Sequence, residues 1–544
     1  GQGWFNVDQS RFLTPEGGEI HWSRLPDIFI GGLILLMRPI LGQDGAELFA
    51  LIVYPLALFA IAMAMVRLIA KRLGVGVFGQ IAAIALFALS SAALNFWPGR
   101  IDHHNLVLVL ILTGLAALLS RQFSAKSAVI ASACCVAALS VAIESLPYVG
   151  ALVLLIGLFW IVRGHIEGVR LSVFGLGLIV FAVLFYSLDA PGYGPRRGVC
   201  DAYGLSHFAA LLSGGALLAL LGVFGGWLDT LSKRLVAGAV AGGLTVFLFA
   251  MVNPSCLGDP YAEISDYVRM AWLSAVAEAR SLGGVWDSDP GRAVSQFGFV
   301  LTGLMAAIFL LWKADKQTRL ARFAVGFLML LSAIATIWQI RGVYFSHAFA
   351  AIAGGALLGV LFSNRQRKDD ISGVIPVIAV TLLVLPTSWA TASRFFVRPA
   401  PVSEQSMPNG ASFDAACVDP KSYKALADLP DARVLTPIDL GMVLLVHTDH
   451  SVYGGPYHRN ILGIERVTRA FMSEPDTARA AIQAMGASHV LYCAGLAETA
   501  RYARLDPGSF ASEMEQGRVP DWLIPADQNQ GDKGVVRLYR VGTE

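Results

Sequence analysis

Long apolar runs recur along most of this chain and constrain its fold more than any other feature. They are roughly 16 to 22 residues long, close to the ~20 residues that a helix needs to cross a bilayer. The chain is 55% hydrophobic and 15% charged, whereas soluble proteins carry about 25% charged residues. The sequence therefore predicts a polytopic α-helical membrane protein, and its net charge of +2 gives no indication of a nucleic-acid partner.

Twelve spans are predicted, and a thirteenth is expected in the full-length protein. The chain begins with Gly1 and a polar stretch rather than with Met, so we expect a preceding segment that contains the further span. The predicted spans are 45–66, 75–95, 105–120, 127–143, 148–163, 171–188, 207–228, 235–252, 296–312, 323–340, 346–363 and 373–391.

Basic residues cluster in every second loop, which assigns those loops to the cytoplasm by the positive-inside rule. Arg196 and Arg197 are exceptions on the opposite, outer side. The segment 28–42 is apolar but short and contains Arg38, so we predict an interfacial helix on the outer face. The clusters are Arg67, Lys71 and Arg72; Arg121 and Lys126; Arg163 and Arg170; Lys233 and Arg234; Lys313, Lys316, Arg319 and Arg322; and Arg365, Arg367 and Lys368.

Three regions follow from this topology. Residues 1–44 form a first outer loop with the interfacial helix, and residues 45–392 form a transmembrane domain with a long outer loop at 253–295. Residues 393–544 contain shorter apolar runs and more Pro, Asp and Gly. Because a helix-like segment precedes a strand-like one there, we predict an α/β domain outside the cytoplasm. In a bacterial inner (plasma) membrane, this domain would face the periplasm.

The six cysteines divide by location. Cys134 and Cys135 lie inside a predicted span and are most simply apolar core residues. The other four lie on the predicted outer side, where disulfides form if that side is a periplasm. We expect the pairs Cys200–Cys256 and Cys417–Cys493, a pairing that spacing alone does not fix.

Three ionisable side chains open a predicted span at its outer end. Asp102, His103 and His104 follow Pro98-Gly-Arg-Ile, and such groups are costly to desolvate at a membrane edge. An Asp-x-His pair can hold a divalent metal through Asp102 and His104. The alternative is that Asp102 caps the helix, with His103 at the interface or in water.

Further charged residues lie on the same outer side. Glu144 ends a span next to Pro147, where it either borders a site or is simply a carboxylate at a helix end. Glu278 lies in the long outer loop and would join a site only if that loop folded back over it. Arg341 lies between two apolar runs, where it can bind a phosphate by charge-assisted hydrogen bonds or anchor the chain at the interface.

The outer domain contains a run that is dense in polar residues and glycine. Pro437-Ile-Asp439-Leu-Gly441 is followed by the segment 448–460, which includes Tyr457, His458 and Arg459. Each part is compatible with a plain turn, but the whole run is typical of a binding loop.

Together these residues resemble the catalytic subunit of oligosaccharyltransferase, a glycosyltransferase of the C-type (GT-C) fold. Asp102-His103-His104 matches the family's Asp-x-Asp or Asp-x-His motif, and Ser274 to Glu278 is similar to its Ser-Val-Ser-Glu or Thr-Ile-x-Glu motif. Arg341 is at the position of its phosphate-binding arginine. Of the family's Trp-Trp-Asp-Tyr-Gly motif, only Asp439 and Gly441 remain. The resemblance covers nearly the whole chain and indicates a divergent bacterial member.

The resemblance implies roles for these residues. The donor would be a sugar or glycan on a polyprenyl phosphate or pyrophosphate, and Arg341 would bind its phosphate. A divalent metal, Mg or Mn, would be held by Asp102 and His104, with Glu278 as a second catalytic acid. Glu278 and Asp439 would bind the acceptor, and Glu144, His103, Tyr457, His458 and Arg459 would lie at the rim of the site.

Two departures from the family pattern affect the expected acceptor and site. The family's first acidic motif would lie upstream of Gly1, and the tryptophan pair that reads a sequon is replaced by Pro437 and Ile438. The acceptor could therefore be a protein, a lipid or a polysaccharide. A transporter would show inverted repeats and mid-membrane charges, and we find no clear repeat. A non-catalytic cell-envelope assembly protein is the other alternative.

Overall fold

The computed structural model describes residues 4–14, 18, 20, 22–120, 124–189, 200–258, 264–365, 374–396, 413–526 and 535–542. Arg121, Arg196, Arg197, Arg367 and Lys368 of the predicted topology lie outside these residues. The chain divides into two compact units. One contains the described residues of 21–260 and 278–398, and the other contains those of 1–20, 261–277 and 399–544.

The larger unit, the membrane unit, is built from helices. Their sequences are almost continuously apolar, so packing against neighbours rather than an amphipathic stripe decides which side chains are buried. The helices are α1 (Leu25–Arg72), α2 (Val77–Ala88), α3 (His103–Leu118), α4 (Ala125–Val141), α5 (Leu146–Arg163), α6 (Gly168–Asp189), α7 (Leu205–Val223), α8 (Leu231–Val252), α10 (Leu282–Ser288), α11 (Pro290–Trp312), α12 (Arg319–Trp338), α13 (Val343–Arg365), α14 (Val374–Val384) and α15 (Pro386–Ala392), with α9 in the other unit.

Seven helical segments among the described residues are long and apolar enough to cross a membrane, or eight if one bent pair counts as a single span. The predicted count of twelve is not confirmed, because hydropathy does not show where helices stop. Three predicted spans correspond to the shorter helices α2, α3 and α4, and two more correspond to α5 and α6, which the 3-10 turn Gly164–Glu167 joins within one segment. The segments are Leu25–Arg72, Ile143–Asp189, Leu205–Trp227, Leu231–Val252, Pro290–Trp312, Arg319–Trp338 and Ile340–Asn364, with the bent pair Val374–Val384 and Pro386–Phe396.

Helix α1 is interrupted at one residue. Gly42 has φ 72° and ψ −179°, a conformation outside the helix that glycine adopts without steric cost. The break falls where the predicted interfacial segment 28–42 meets the first predicted span, so the helix changes direction between the two.

Small residues let helices of the membrane unit approach closely. A Cβ atom on Gly175 of α6 would lie 2.4 Å from the Gly215 carbonyl oxygen of α7, and one on Gly222 would lie 2.4 Å from the Gly168 carbonyl oxygen. The hydrophobic effect is weak between helices that are surrounded by lipid, so close van der Waals packing of this kind holds them together.

The smaller unit, the α/β unit, contains a five-stranded sheet with strand order β2-β1-β3-β5-β4. β1 is parallel to β2 and β3, whereas β5 is antiparallel to β3 and β4. The strands are β1 (Arg433–Leu435), β2 (Ser451–Val452), β3 (His489–Cys493), β4 (Leu523–Pro525) and β5 (Val536–Val541), and the helices are α9 (Asp266–Ala271), α16 (Phe413–Cys417), α17 (Lys424–Ala427), α18 (Ile438–His447), α19 (Ile461–Phe471), α20 (Pro475–Met485), α21 (Ala497–Leu505) and α22 (Phe510–Glu515).

Both predicted disulfides are present, one in each unit. Cys200 is bonded to Cys256 and Cys417 to Cys493. The second bond joins α16 to the end of strand β3, so it attaches this helix to the sheet of the α/β unit. Cys134 and Cys135 are free and buried in α4, as predicted.

Replacing Gly441 with Ala is expected to destabilise the α/β unit by about 1–3 kcal/mol, the usual cost of overpacking. A Cβ atom there would lie 1.9 Å from the backbone carbonyl oxygen of Gly454, so α18 would have to move away from the segment after β2. Amide hydrogen exchange of α18 and β2 measures the effect. Gly508→Ala is the matched control, since its Cβ atom would make only an ordinary contact at 3.6 Å. Equal protection in both variants would contradict the prediction.

Candidate functional site

The turn before α3 is fixed by backbone contacts. Gly99 has φ 88°, which favours glycine, and its N–H donates to the Leu51 carbonyl at 2.8 Å. The buried Asn105 side chain donates to the carbonyls of Asn95 at 3.2 Å and Arg100 at 2.9 Å. These bonds hold the start of α3 against the preceding loop.

Asp102 is the N-cap of α3. Its Oδ1 accepts a hydrogen bond from the His104 N–H at 3.1 Å, and its Oδ2 pairs with Arg100 at 2.7 Å. An N-cap carboxylate satisfies one of the helix's unpaired N–H groups. The capping role considered from the sequence is therefore present. It stabilises the first turn of α3, which carries the side chains of His103 and His104.

Glu144 joins three side chains. Helix α4 ends at Val141, Ala142 is extended, and Glu144 lies on a single 3-10 turn before α5, which has a proline in its first turn. Glu144 Oε1 is 2.7 Å from His104 Nδ1 and 3.5 Å from His103 Nε2, and its Oε2 is 3.4 Å from Arg341 Nη1. We call His103, His104, Glu144 and Arg341 the central cluster.

Arg341 also lies on a single 3-10 turn, between α12 and α13. A Cβ atom on Gly342 would lie 2.8 Å from the Thr336 backbone nitrogen, so this turn is packed tightly against the end of α12. The Arg341 N–H donates to the Glu278 carbonyl at 3.2 Å, and the Ile340 N–H donates to the Arg280 carbonyl at 2.8 Å.

Those two backbone bonds attach the segment that carries Glu278 to the Arg341 turn. The Glu278 side chain is exposed, and its charge is close enough to act on His104 and Tyr344. The structure therefore places Asp102, His104, Glu278 and Arg341 in one region of the membrane unit. Together with Glu144, they bring four separate parts of the sequence to this region.

The central position of Glu144 differs from its predicted place at the rim. A lone glutamate before a proline at a helix boundary is usually a solvated helix-end residue, and 40 positions separate it from His104. In the sequence, its role was indicated only by its position at the same predicted membrane face as Asp102.

The central cluster can accommodate a divalent cation. One ligand atom from each of His103, His104 and Glu144 lies within 4.8 Å of the others. The distances of 2.7 and 3.5 Å from Glu144 Oε1 to the two imidazole nitrogens bracket the ~3 Å that neighbouring ligands of one cation keep at bond lengths near 2.1 Å. The Ser145 and Tyr148 hydroxyl oxygens beside this group are buried and have no hydrogen-bond partner in the described part of the chain.

The other predicted residues lie in the α/β unit. Asp439 is exposed in the first turn of α18, where buried Glu498 accepts hydrogen bonds from the N–H groups of Ile438 and Asp439, both at 2.8 Å. Burial and the Asp439 carboxylate raise the pKa of Glu498 to about 7. Tyr457 is buried with its ring 5.6 Å from that of His458, whereas His458 and Arg459 are half-buried.

No family model and no curated protein matches this sequence. Several solved structures match its fold. An archaeal oligosaccharyltransferase, AglB from Archaeoglobus fulgidus in complex with an inhibitory peptide and a dolichol-phosphate, has a TM-score of 0.65 at 14% identity, covering 99% of this chain and 68% of that chain.

Two further structures of the Archaeoglobus fulgidus oligosaccharyltransferase match at 14% identity and a TM-score of 0.60. The complex with Zn and sulfate covers 93% of this chain and 64% of that chain. The enzyme tethered to an acceptor peptide with the NVT sequon covers 93% and 65%. The chain thus spans about two thirds of the length of these structures. It has the oligosaccharyltransferase-like GT-C fold, as its motifs predicted, and is an integral membrane protein.

Proposed function

We propose that this chain is a membrane glycosyltransferase that transfers a sugar or glycan from a polyprenyl phosphate or pyrophosphate to an acceptor. The observation that carries the proposal is the central cluster, in which two imidazoles, a carboxylate and a guanidinium converge from separate helix ends of a GT-C fold. A cation-binding group next to an arginine is suited to a reaction in which a phosphate leaves. In a bacterial inner membrane, the cluster would face the periplasm.

The cation would be held by His103, His104 and Glu144, with Asp102 adding the carboxylate that the family resemblance implies. When bound, it would supply positive charge that polarises and positions the acceptor. Imidazole ligands suit Zn, Fe, Cu and Ni, whereas carboxylates suit Mg and Mn. The mixed set favours Mn over Mg, and a similar enzyme is described in a complex with Zn.

Arg341 would bind the donor phosphate. Its ion pair with Glu144 at 3.4 Å fixes one end of the guanidinium, and the fork-shaped group has further N–H donors for phosphate oxygens. As the bond between sugar and phosphate breaks, negative charge grows on the phosphate, and these donors stabilise it. A similar structure contains a dolichol-phosphate, which supports a lipid-linked donor.

Glu278 and Asp439 would bind the acceptor. The Glu278 backbone is held by the Arg341 turn, so its carboxylate can orient an acceptor near the site of transfer. A similar enzyme was captured with a peptide that carries an NVT sequon. Here Pro437 and Ile438 replace the tryptophan pair of the family motif, so we propose a protein site of another kind, a lipid or a polysaccharide as acceptor.

The role of Asp102 is tested by Asp102→Asn in the full-length protein. Asparagine is as good an N-cap as aspartate, so the fold is expected to remain while the negative charge is lost. We expect Mn²⁺ binding, followed by the electron paramagnetic resonance of free Mn²⁺, to weaken at least tenfold. Transfer of radiolabelled sugar from a polyprenyl phosphate at limiting Mn²⁺ should fall in parallel.

A comparison variant separates the two roles of this carboxylate. Asp102→Ala removes both the cap and the charge, so it should lose helix stability in addition to Mn²⁺ affinity. If Asp102→Asn binds Mn²⁺ as tightly as the unmodified protein, Asp102 is a cap and not a ligand. If chelation with EDTA leaves transfer unchanged, the cation has no part in the reaction.

A further inference from the structure

A cavity of about 380 Å³ lies at the other end of the helices that carry the central cluster. Helices α3 and α5 begin beside His104 and Glu144, and the cavity is lined by residues where they end, including Leu118 and Arg163. The 16 residues of α3 span about 24 Å at 1.5 Å per residue. The cavity is therefore separate from the proposed site of transfer, at the opposite face of the helix bundle.

Three arginines line this cavity, which we call the arginine cavity. Arg72 comes from the end of α1, Arg163 from the end of α5 and Arg170 from the start of α6. No carboxylate is found among the described residues of its lining. Behind the lining, Glu167 pairs with Arg163 at 2.8 Å and with Arg170 at 3.3 Å. Among the described residues, three guanidinium groups therefore line the cavity and Glu167 pairs with two of them.

Arg170 has a structural role in the wall of the cavity. It is buried, and its Nη2 donates to the carbonyl of Leu118 at the C-terminal end of α3. This contact caps the helix end and holds the guanidinium in place. Arg72 is close enough to Arg170 for the two positive charges to repel each other. Attraction between these two side chains therefore does not hold Arg72 in place.

Arg72 is half-buried, and one of its terminal nitrogens lacks an acceptor in the described part of the chain. Its Nη1 is buried and has no hydrogen-bond partner among the residues that the structure describes. A buried charged donor without an acceptor is destabilising. An anion in the cavity would supply the missing acceptor and interact favourably with the three guanidinium groups.

The remaining lining indicates which class of anion fits. Phe159, Leu320 and Ala321 contribute apolar surface beside the guanidinium groups. We propose that the arginine cavity binds the phosphate of an anionic phospholipid headgroup, with the apolar wall contacting the adjoining glycerol and acyl carbons. Basic pockets between membrane helices bind such headgroups in other proteins. The same phosphate chemistry is offered by free phosphate, so the experiment separates the two sources.

The test uses the full-length protein in a neutral detergent. Phosphatidylglycerol, phosphatidylcholine and inorganic phosphate are added separately, and the thermal unfolding midpoint and the bound lipid, by native mass spectrometry, are measured. We expect phosphatidylglycerol to raise the midpoint and remain bound, and phosphatidylcholine to do neither. A rise with inorganic phosphate alone would overturn the lipid assignment.

Arg72→Gln identifies the site. We expect it to weaken phosphatidylglycerol binding tenfold or more, because one charge-assisted contact is lost. Arg67→Gln is the matched control, since it makes the same charge change on the exposed face of the same helix and outside the cavity lining. Arg163→Gln is the second variant if Arg72→Gln does not fold. Equal lipid retention in the cavity variant and in Arg67→Gln would overturn the proposal.

Discussion

Replacing Arg341 with Gln is expected to lower the rate of glycosyl transfer by about 10²–10³-fold, the usual loss when one donor to a developing anion is removed. The substitution keeps the approximate size of the side chain and removes the charge that would stabilise the leaving phosphate. Its effect on the cation should be opposite. Arg341 Nη1 lies 3.4 Å from Glu144 Oε2, so removing this competing positive charge should leave Mn²⁺ affinity equal or higher.

Initial transfer rates and Mn²⁺ binding of the same preparation test this expectation. Arg341→Lys keeps the charge but loses the planar fork, so it should retain an intermediate rate. Arg38→Gln, at an exposed position of α1, is the matched control for loss of one positive charge and should transfer normally. Unchanged turnover in Arg341→Gln would remove Arg341 from the mechanism, and a parallel loss of Mn²⁺ binding would point to collapse of the central cluster.

The outer-edge residues were predictable because each stands at a boundary between an apolar run and a polar one. Asp102 and His104 open a helix, and Arg341 separates two helices. A charged group at such a boundary is expensive to bury, so its presence is informative without any knowledge of the fold. Disulfide formation by the four cysteines on the predicted outer side was also predictable, whereas the choice among their three pairings was not.

The contacts between these residues could not be read from the sequence. Glu144 reaches His104 across 40 positions, and Glu278 reaches Arg341 across more than 60, through backbone atoms that carry no sequence signal. Packing of α3 against α4 and α5 decides which of several helix-end carboxylates becomes central. Hydropathy alone does not contain that information.

Element boundaries were missed where local conformation overrides hydropathy. The span predicted at 373–391 is instead broken, since Val374–Val384 and Pro386–Phe396 are bent by 67° relative to each other. By contrast, the predicted boundary between the spans 148–163 and 171–188 is present, because α5 ends before Gly164, which has φ 71°, and a 3-10 turn leads into α6. Arg163 and Glu167 at this connection pair with each other at 2.8 Å, so the two charges that mark the boundary in the sequence stabilise each other.

The order of the sheet was likewise beyond the sequence. Strand β1 is only three residues long and pairs in parallel with β2 and β3, so its partners come from distant segments. The helix-then-strand pattern at 476–493 predicted an α/β unit, and the structure has α20 followed by β3 there. The local pattern predicted these elements but contained no information on which strands would be neighbours.

Replacing Glu144 with Gln is expected to weaken Mn²⁺ binding by about 100-fold or more and to lower transfer by a similar factor at limiting Mn²⁺. Loss of a group that merely orients a ligand costs 10–100-fold in metal affinity, and Glu144 is proposed as a ligand as well. Glutamine has nearly the same shape, and its carbonyl oxygen can still accept a hydrogen bond from His104. The variant therefore removes charge with little change in packing.

The comparison with Arg341→Gln makes the result decisive. If Glu144 matters only as the ion-pair partner of Arg341, then the two variants should fail in the same way, with Mn²⁺ binding retained in both. If Glu144 holds the cation, then only Glu144→Gln loses it, and raising Mn²⁺ should restore part of its transfer rate but none of that of Arg341→Gln. Asp44→Asn, an exposed carboxylate on α1, controls for the change in charge. Tight Mn²⁺ binding by Glu144→Gln would exclude Glu144 as a ligand, and the cation would have to be held by Asp102 and the two histidines.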